Sequence, residues 1–279
     1  MTYLFGCDPE VFVHDGGKFI PAHGMIQGTK EEPHKVRNGA VQVDGLALEF
    51  NIDPVDNRED WLRNIRSVEA QLRDMIDPKF NLRAVPSADF VKDDFINLPP
   101  AARVLGCDPD YNAYSGERNE VPADAGNEPY RCAGGHVHIG WLEPDSANLE
   151  DQVHIHDCSV VVKAMDVTLG LLSCSFDTDK RRSNVYGGPG AYRVKPYGVE
   201  YRTLSNAWLA TDDRVNWVFD TAKLTMEILE KDPKFFKLND GEAYNLKNAV
   251  KTKDKYYVTH YNLTELRRRL EKAGFKKVA

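Results

Sequence analysis

The sequence predicts an α+β fold organised around an antiparallel sheet. Three observations lead to it. Short strand-like runs are bounded by turn signals, most clearly the hairpin turn at His14-Asp15-Gly16-Gly17-Lys18. Residues 56–76 and 147–174 carry apolar side chains at the three- and four-residue steps of a helix. Strands and helices do not alternate in the regular βαβ units that a parallel sheet requires.

In chain order, residues 3–13 read as one strand. Pro9 interrupts it, has no N–H for a ladder, and so favours an edge or a bulge. After the turn at 14–18, Phe19-Ile20-Pro21-Ala22 is the return strand and 23–39 a polar loop. Residues 40–52 give one or two strands about Gly45. In the helix over 56–76, Trp61, Ile65, Val68, Leu72 and Met75 recur at helical steps, and Asp77-Pro78 ends it. A strand follows within 79–91. Residues 92–130, with several Pro, Gly and Asn/Asp, have no regular pattern, and irregular segments of that length are often functional. Residues 131–141 form a strand carrying two histidines, and 147–174 a long, largely buried helix. His154 and His156 fall in that helix, where i and i+2 diverge, and read as structural. A Gly- and Arg-rich loop over 175–198 leads to a strand at 199–204, then to helices at 213–229 and 263–273. Gly6-Cys7-Asp8-Pro9-Glu10 is echoed by Gly106-Cys107-Asp108-Pro109-Asp110, a single echo and not a repeat architecture.

The net charge of −7 argues against a duplex-DNA binder held by phosphate contacts, while leaving open a local basic groove. No apolar run approaches the roughly 18–20 residues that span a bilayer, so no membrane partner is expected. Met1-Thr2-Tyr3-Leu4-Phe5 lacks the basic start and apolar run of a signal peptide, and a cytoplasmic location is expected. The five cysteines, odd in number and without a CxxC, read as reduced thiols, with Cys132 packed at a strand end.

Gly134-Gly135-His136-Val137-His138-Ile139-Gly140 is the most informative stretch. On a strand, His136 and His138 share one face and Val137 and Ile139 the other, so two imidazoles enter one space. The flanking glycines allow close approach of backbone or ligand; a packed structural pair is the plainer alternative. Asp8 and Glu10 likewise share a strand face, where paired carboxylates suit a hard divalent cation such as Mg²⁺, or else form a solvated turn. Glu49 and Asn51 share one face, and Leu48, Phe50 and Ile52 the other, which fits a ligand face or an ordinary amphipathic strand. From Lys180 to Arg202 there are four arginines and two lysines around a glycine-rich centre. Arginine forks match phosphate oxygens and stabilise charge on a transferring phosphoryl group; a solvated basic loop or a nucleic-acid contact has the same composition. Glu200 and Arg202 share a face, which sets a cation ligand beside a phosphate ligand. HExxH, a zinc cysteine set, GxxxxGK[ST], GxGxxG and GxSxG are all missing from the sequence, so zinc-hydrolase, P-loop, Rossmann and serine-hydrolase readings have no motif behind them.

The segments GCDPE, VDGLALEFNI, CAGGHVHIG and GAYRVKPYGVEYR follow one another between about residues 6 and 206. With them the chain resembles the phage-type COOH·NH2 ligases (type 2), within the carboxylate–amine ligases of the glutamine synthetase and glutamate–cysteine ligase superfamily. The resemblance implies a curved antiparallel sheet forming an active-site funnel packed by helices, like the glutamine synthetase catalytic domain, in one domain over 1–279. It implies an ATP-dependent ligase: a substrate carboxylate takes the γ-phosphate to become an acyl phosphate, and an amine then displaces phosphate to give an amide. Two or more Mg²⁺ or Mn²⁺ ions are implied, with Asp8, Glu10, Asp44, Glu49, His136 and Glu200 as ligands and His138 facing the ATP phosphates. Arg182, Arg193 and Arg202 resemble the arginines that grip phosphate or the carboxylate substrate, with Lys195 on the ATP side. The resemblance also places the protein in a host cytoplasm if it is phage-encoded.

Some features depart from that pattern. The first acid is Asp rather than Glu and is followed by Pro9, and Asp44 and Glu49 have opposite strand parity unless Gly45 introduces a bulge. The separate N-terminal domain of true glutamine synthetases is missing, so their dodecamer is not carried over, and an oligomer is left open. Two other readings use parts of the same pattern: a phosphagen-kinase-like phosphotransferase to a guanidino or amino group, and a non-catalytic relative that binds nucleotide and metal. The expected partners are small-molecule or peptide carboxylates and amines. Acceptor specificity is expected in residues 92–130 and in the basic C-terminal helix that carries Arg267, Arg268, Arg269, Lys272, Lys276 and Lys277.

Overall fold

A computed structural model describes residues 2–103, 110–119, 128–254, 256–257 and 261–278. The run expected as one strand over 3–13 is two, β1 (Leu4–Cys7) and β2 (Glu10–His14), and they lie in different sheets. The break falls at Asp8-Pro9, where proline removes a ladder donor. β3 (Phe19–Ile20) returns on β2 as expected. Inside the expected polar loop, β4 (His34–Val36) pairs with β5 (Gly39–Asp44), and β5 forms a tight hairpin with β6 (Ala47–Ile52).

The expected strand over 79–91 is two short ones, β7 (Asn81–Arg83) on β2 and β8 (Ser87–Asp89) on β10 (Tyr130–Cys132). The segment 92–130 is not wholly irregular. It contains α2 (Lys92–Ile96), α3 (Pro100–Arg103) and β9 (Tyr111–Asn112), while the GCDPD echo up to Pro109 lies outside the described residues. The histidine strand divides at its glycines into β10 and β11 (Val137–Gly140). The expected loop over 175–198 holds α6 (Arg182–Val185) and β12 (Ala191–Lys195), ahead of β13 (Gly198–Tyr201).

One sheet runs β1-β11-β13-β12-β9 and the other β3-β2-β6-β5-β4, with β7 beside β2, and every pairing between these strands is antiparallel. Backbone hydrogen bonds join the two sheets: Phe5 and Val55 exchange two (2.7 and 2.9 Å), and Glu10 N–H donates to Gly134 O (3.0 Å). The result is a curled antiparallel surface with helices packed against it, as the resemblance implies.

The helices cover the convex side because their apolar stripes must leave water. In α1 (Arg58–Met75), capped by Asn57, the stripe Trp61, Ile65, Val68 and Leu72 is fully buried against β6 and α7 (Asp212–Lys231). Each such side chain contributes about 1.5–3 kcal/mol, and Trp61→Ala would cost about 3–5 kcal/mol through the cavity it leaves. The helix expected over 147–174 starts only at Gln152, where Asp151 caps α4 (Gln152–Met165). It continues through a π-helical turn (Asp166–Gly170) into α5 (Leu171–Ser173). Its first turn is buried on one side only, with Val153 69% exposed. His154 is structural as read: it is buried and its Nε2 lies 2.8 Å from Lys195 O. α8 (Asp240–Thr252), opened by an Asn239/Glu242 capping box, was not expected, and a last helix spans Tyr261–Lys272. Among the described residues no helix is long and apolar enough to cross a membrane, and Cys7, Cys132, Cys158 and Cys174 are free thiols.

Candidate active site

Strand register sets the acids in rows. Residues opposite one another in antiparallel strands project to the same face. Glu49 stands opposite both Glu10 on β2 and Gln42 on β5, and Gln42 Nε2 donates to Glu49 Oε1 at 3.0 Å. Asp44 lies two residues from Gln42, on the same face. The parity conflict between Asp44 and Glu49 disappears without a bulge, because the chain reverses at Gly45-Leu46 and Asp44 pairs with Ala47. Gly45 has φ of 57°, the left-handed conformation such a turn demands.

On the other sheet the row is His138, Glu200 and Arg193, each opposite the next, with Gly6 facing His138. Asp8 sits at the joint between the sheets. Gly134 and Gly135 are explained by close approach. A Cβ on Gly134 would lie 2.2 Å from His136 Nε2, and one on Gly135 2.3 Å from Ser205 O. The glycines thus let His136 fold back over the backbone and let the 205–208 segment close beneath it, where Trp208 Nε1 donates to Gly135 O at 3.0 Å.

The rows meet in a cavity of ≈ 300 Å³ lined by Asp8, Glu10, Gln42, Asp44, Glu49, Asn51, His136, Tyr186, Arg193, Lys195, Glu200 and Arg202, with Lys30 and Pro33 at its side. Two ligand sets, each with donor atoms within 4.8 Å of one another, meet here: Glu10, Asp44 and Glu49, which line this cavity, and Asp8, His138 and Glu200, of which His138 lines the adjoining apolar cavity. His138, expected at the phosphates, falls in a ligand set. His136, expected as a ligand, stands beside that set: Nδ1 lies 3.1 Å from Asp8 Oδ1 and 3.5 Å from Glu200 Oε1, and Nε2 meets Tyr186 OH at 2.6 Å.

The two sets differ electrostatically. Burial, then the charge of Asp44, raises the Glu10 carboxyl to about 7, against the pull of the Gly134 N–H and Arg202. Burial and the neighbouring carboxylates of Asp8, Asp44, Glu10 and Glu200 push Glu49 well above its ordinary range. For Glu200, burial and Asp8 push up, but Arg202 and the two imidazoles outweigh them and leave it at about 2. Arg202 bonds it directly, Lys195 Nζ is 2.8 Å away and Arg193 3.7 Å. Asp8, although half-buried and partly desolvated, is held well below the usual range by His138 and His136. Burial and then Arg202 lower His136 to about 4, so it is neutral at pH 7.

Arg182 does not open onto this cavity. It is buried, and its guanidinium donates to the carbonyls of Thr203 (2.8 Å), Arg202 (3.0 Å) and Gly187 (3.5 Å). Gly187, at φ 63°, is where a Cβ would strike that guanidinium at 2.4 Å. The motif reading also passed over Tyr186 and Tyr197. Arg202 donates to the Tyr186 hydroxyl, and the Tyr197 hydroxyl lies 2.5 Å from His138 Nδ1. Both tyrosines stand in the basic segment, where charge drew attention away from hydroxyls.

Two further cavities flank the first. One, of ≈ 320 Å³, shares Asp8, Glu49 and Asn51 with it and is otherwise mainly apolar, with Leu4, Ile52, Pro54, Leu142, Pro144 and Tyr197. The other, of ≈ 480 Å³, shares Tyr186.

The profile of the family described as Phage phiEco32-like COOH.NH2 ligase-type 2 matches residues 112–274. No curated protein sequence matches the chain. Solved structures that are similar include a bifunctional glutathione synthetase from Pasteurella multocida (TM-score 0.43, 11% identity, 98% of this chain and 48% of that one). Another is a novel glutamine synthase homolog (TM-score 0.37, 11% identity, 98% of this chain and 67% of that one). The chain thus spans about half the length of the glutathione synthetase.

Proposed function

The chain belongs to the phage phiEco32-like COOH.NH2 ligase-type 2 family of carboxylate–amine ligases, and on that premise we propose that it forms its amide bond with ATP, through an acyl phosphate. One observation carries the reading: the five carboxylates of two ligand sets share a cavity with Arg193 and Lys195, and His138 completes the second set from the adjoining apolar cavity. Carboxylate oxygens with a single imidazole suit Mg²⁺ or Mn²⁺. The crowding that raises Glu10 and Glu49 is the repulsion a bound cation would relieve. Glu10, Asp44 and Glu49 would hold one ion, and Asp8, His138 and Glu200 another. Such ions, when bound, neutralise phosphate charge and polarise the transferring phosphoryl group.

The remaining work falls to the chain's own side chains. The apolar cavity beside Asp8 takes the base of the nucleotide, which points its phosphates at the acidic sets. Arg193 and Lys195, 21% and 30% exposed at the cavity wall, turn from Glu200 to the γ-phosphoryl oxygens. A carboxylate oxygen of the first substrate attacks the γ-phosphorus, and ADP leaves. The amine lone pair then attacks the acyl carbon, the bond to the phosphate oxygen breaks, and phosphate departs as the amine gives up a proton. Arg202 is buried and committed to Glu200, Asp110 and Tyr186, so it orients them. Arg182, locked on carbonyls, braces the loop that carries Tyr186. The test is ADP release with Mg²⁺ across pairs of acids and amines, followed by product mass. Release that needs both substrates, with an amide as product, supports the reading. A phosphorylated amine, or no nucleotide turnover with any pair, overturns it.

A further inference from the structure

We propose that the ≈ 480 Å³ cavity beyond Tyr186 is the amine-substrate site, and that it selects an amine bearing a carboxylate, such as an amino acid or peptide end. The proposal rests on the ligase reading, since it needs a second substrate to approach the acyl carbon. Tyr186 lines both this cavity and the acidic one, so the two abut at its side chain. A molecule here therefore reaches the reacting centre past Tyr186, a route separate from the apolar cavity, which adjoins the centre at Asp8, Glu49 and Asn51.

The charge of the wall identifies the occupant. Asp110 is the cavity's one acidic residue among those described, and it is buried and neutralised by Arg202 Nε at 3.1 Å. Lys247 and Lys251 line the same space from one face of α8, four residues apart. Neither has an acidic partner within ion-pair distance among the described residues. Lys247 is steered by the ring of Tyr114, whose centroid is 5.3 Å from its Nζ. Two ammonium groups without an acidic partner among the described residues at one end and the Tyr186 side chain at the other suit an occupant whose anionic end faces α8 and whose amine faces Tyr186. A metal ion is ill suited to this wall, and a nucleotide base would lack the apolar slab that the cavity beside Asp8 provides.

The probes are L-amino acids and their C-terminal amides, titrated calorimetrically into the wild type and a K247A/K251A variant in the presence of Mg²⁺ and a non-hydrolysable ATP analogue. Some members of the panel are expected to bind the wild type about ten-fold tighter as acids than as amides, the scale of one or two partly exposed ion pairs. The double variant should lose that difference. In turnover the variant should raise KM for the amine substrate about ten-fold, with KM for the carboxylate substrate unchanged. Indifference of the wild type to the carboxylate across the panel, retention of the preference in the variant, or a shift in KM of the other substrate would overturn the proposal. Failure of the ligase reading looks different: carboxylate-dependent binding would persist while no acid and amine pair released ADP.

Discussion

The two ligand sets at the central cavity are both built on carboxylates and carry opposite electrostatics. Glu10, Asp44 and Glu49 project from β2, β5 and β6 with carboxylates for neighbours, and Glu10 and Glu49 resist ionisation. Glu200 projects from β13 among Arg193, Lys195 and Arg202 and ionises readily. Glu200 is the most buried of the three and still ionises most readily, so the neighbours decide. In the metal-free protein crowding favours proton uptake by Glu10 and Glu49, whereas the chain's own cations balance Glu200. A divalent ion must displace protons from the first and side chains from the second. Asp166 provides a third environment away from the site. It is fully buried beneath β13, where the Tyr201 hydroxyl donates to it at 2.7 Å, and burial leaves it at about 6 against those hydrogen bonds.

The strongest test of the contrast is Glu200→Gln. The side chain keeps its shape and loses its charge, leaving Arg202 buried without its partner. Glu200's depressed value means its stabilisation is present above the unfolded pKa of 4.5 and is lost as pH falls through about 2. At pH 7 the variant should therefore be less stable by about 3 kcal/mol. Turnover should fall at least about 1,000-fold, as for loss of a group that acts on the transition-state charge. A folded E200Q variant with wild-type turnover would remove Glu200 from the site chemistry.

Asp166→Asn tests whether hydroxyl donors alone leave a buried acid hard to ionise. Because its folded value is raised from 3.8 to about 6, its contribution is complete below the lower value and is lost as pH rises through the upper one. The stability of the wild type relative to D166N should therefore fall by up to about 3 kcal/mol between pH 4 and pH 7. Urea denaturation at several pH values measures it, and a flat difference across that window would show that the hydrogen bonds, not burial, set the acid's charge.

Tyr197→Phe separates the two sets by a milder route. Its hydroxyl fixes His138 through Nδ1, and outer partners of a ligand imidazole are typically worth about 10-fold or more in metal affinity. Two classes of Mn²⁺ site are expected by titration in the wild type. In Y197F only the class that includes His138 should weaken, while the class at Glu10, Asp44 and Glu49 keeps its affinity. Equal weakening of both would mean that the sets are one site.

Much of this site was legible because it depends on period-two spacing. The His136/His138 pair, Glu10 and Glu49 all follow from strand alternation, and the structure gathers Glu10, Glu49 and His136 into one cavity with His138 in the cavity beside it. Asp44 was less legible because parity counts along one strand and cannot see a reversal; the hairpin at Gly45-Leu46 restores the shared face. Arg182 shows another limit. Composition marks a cluster of arginines, but whether a guanidinium meets a ligand or three carbonyls depends on the loop's path. The split at Asp8-Pro9 was half visible, since proline marked a break but not that the two pieces join different sheets. α8 escaped because its pattern mixes polar residues with few large apolar ones, although Asn239 and Glu242 form a capping box that a search for helix starts would have found.

Glu49→Gln should give the smallest effect and the opposite sign to Glu200→Gln. Glu49 is pushed well above its ordinary 4.5, so its stabilising protonated form is complete below that value and is given up as pH rises through the folded one. At pH 8, where the unfolded carboxyl is ionised, Glu49 costs stability in the folded protein, either as charge held beside Asp8, Glu10 and Asp44 or as a proton that must be taken up. An amide removes that repulsion, at the expense of the hydrogen bond from Gln42 unless the new side chain presents its carbonyl oxygen there. The metal-free variant should therefore be more stable than the wild type at pH 8, by about 1 kcal/mol, the scale of a relieved like-charge contact less part of a hydrogen bond. Adding Mn²⁺ should reverse the ranking, because a ligand that binds only the folded state stabilises in proportion to its affinity, and the variant has lost an anionic donor. Thermal melts of both proteins with and without Mn²⁺ give the four values needed. If E49Q is less stable than the wild type without metal, the repulsion attributed to the acid-only set is not there, and its contrast with the Glu200 side of the cavity fails.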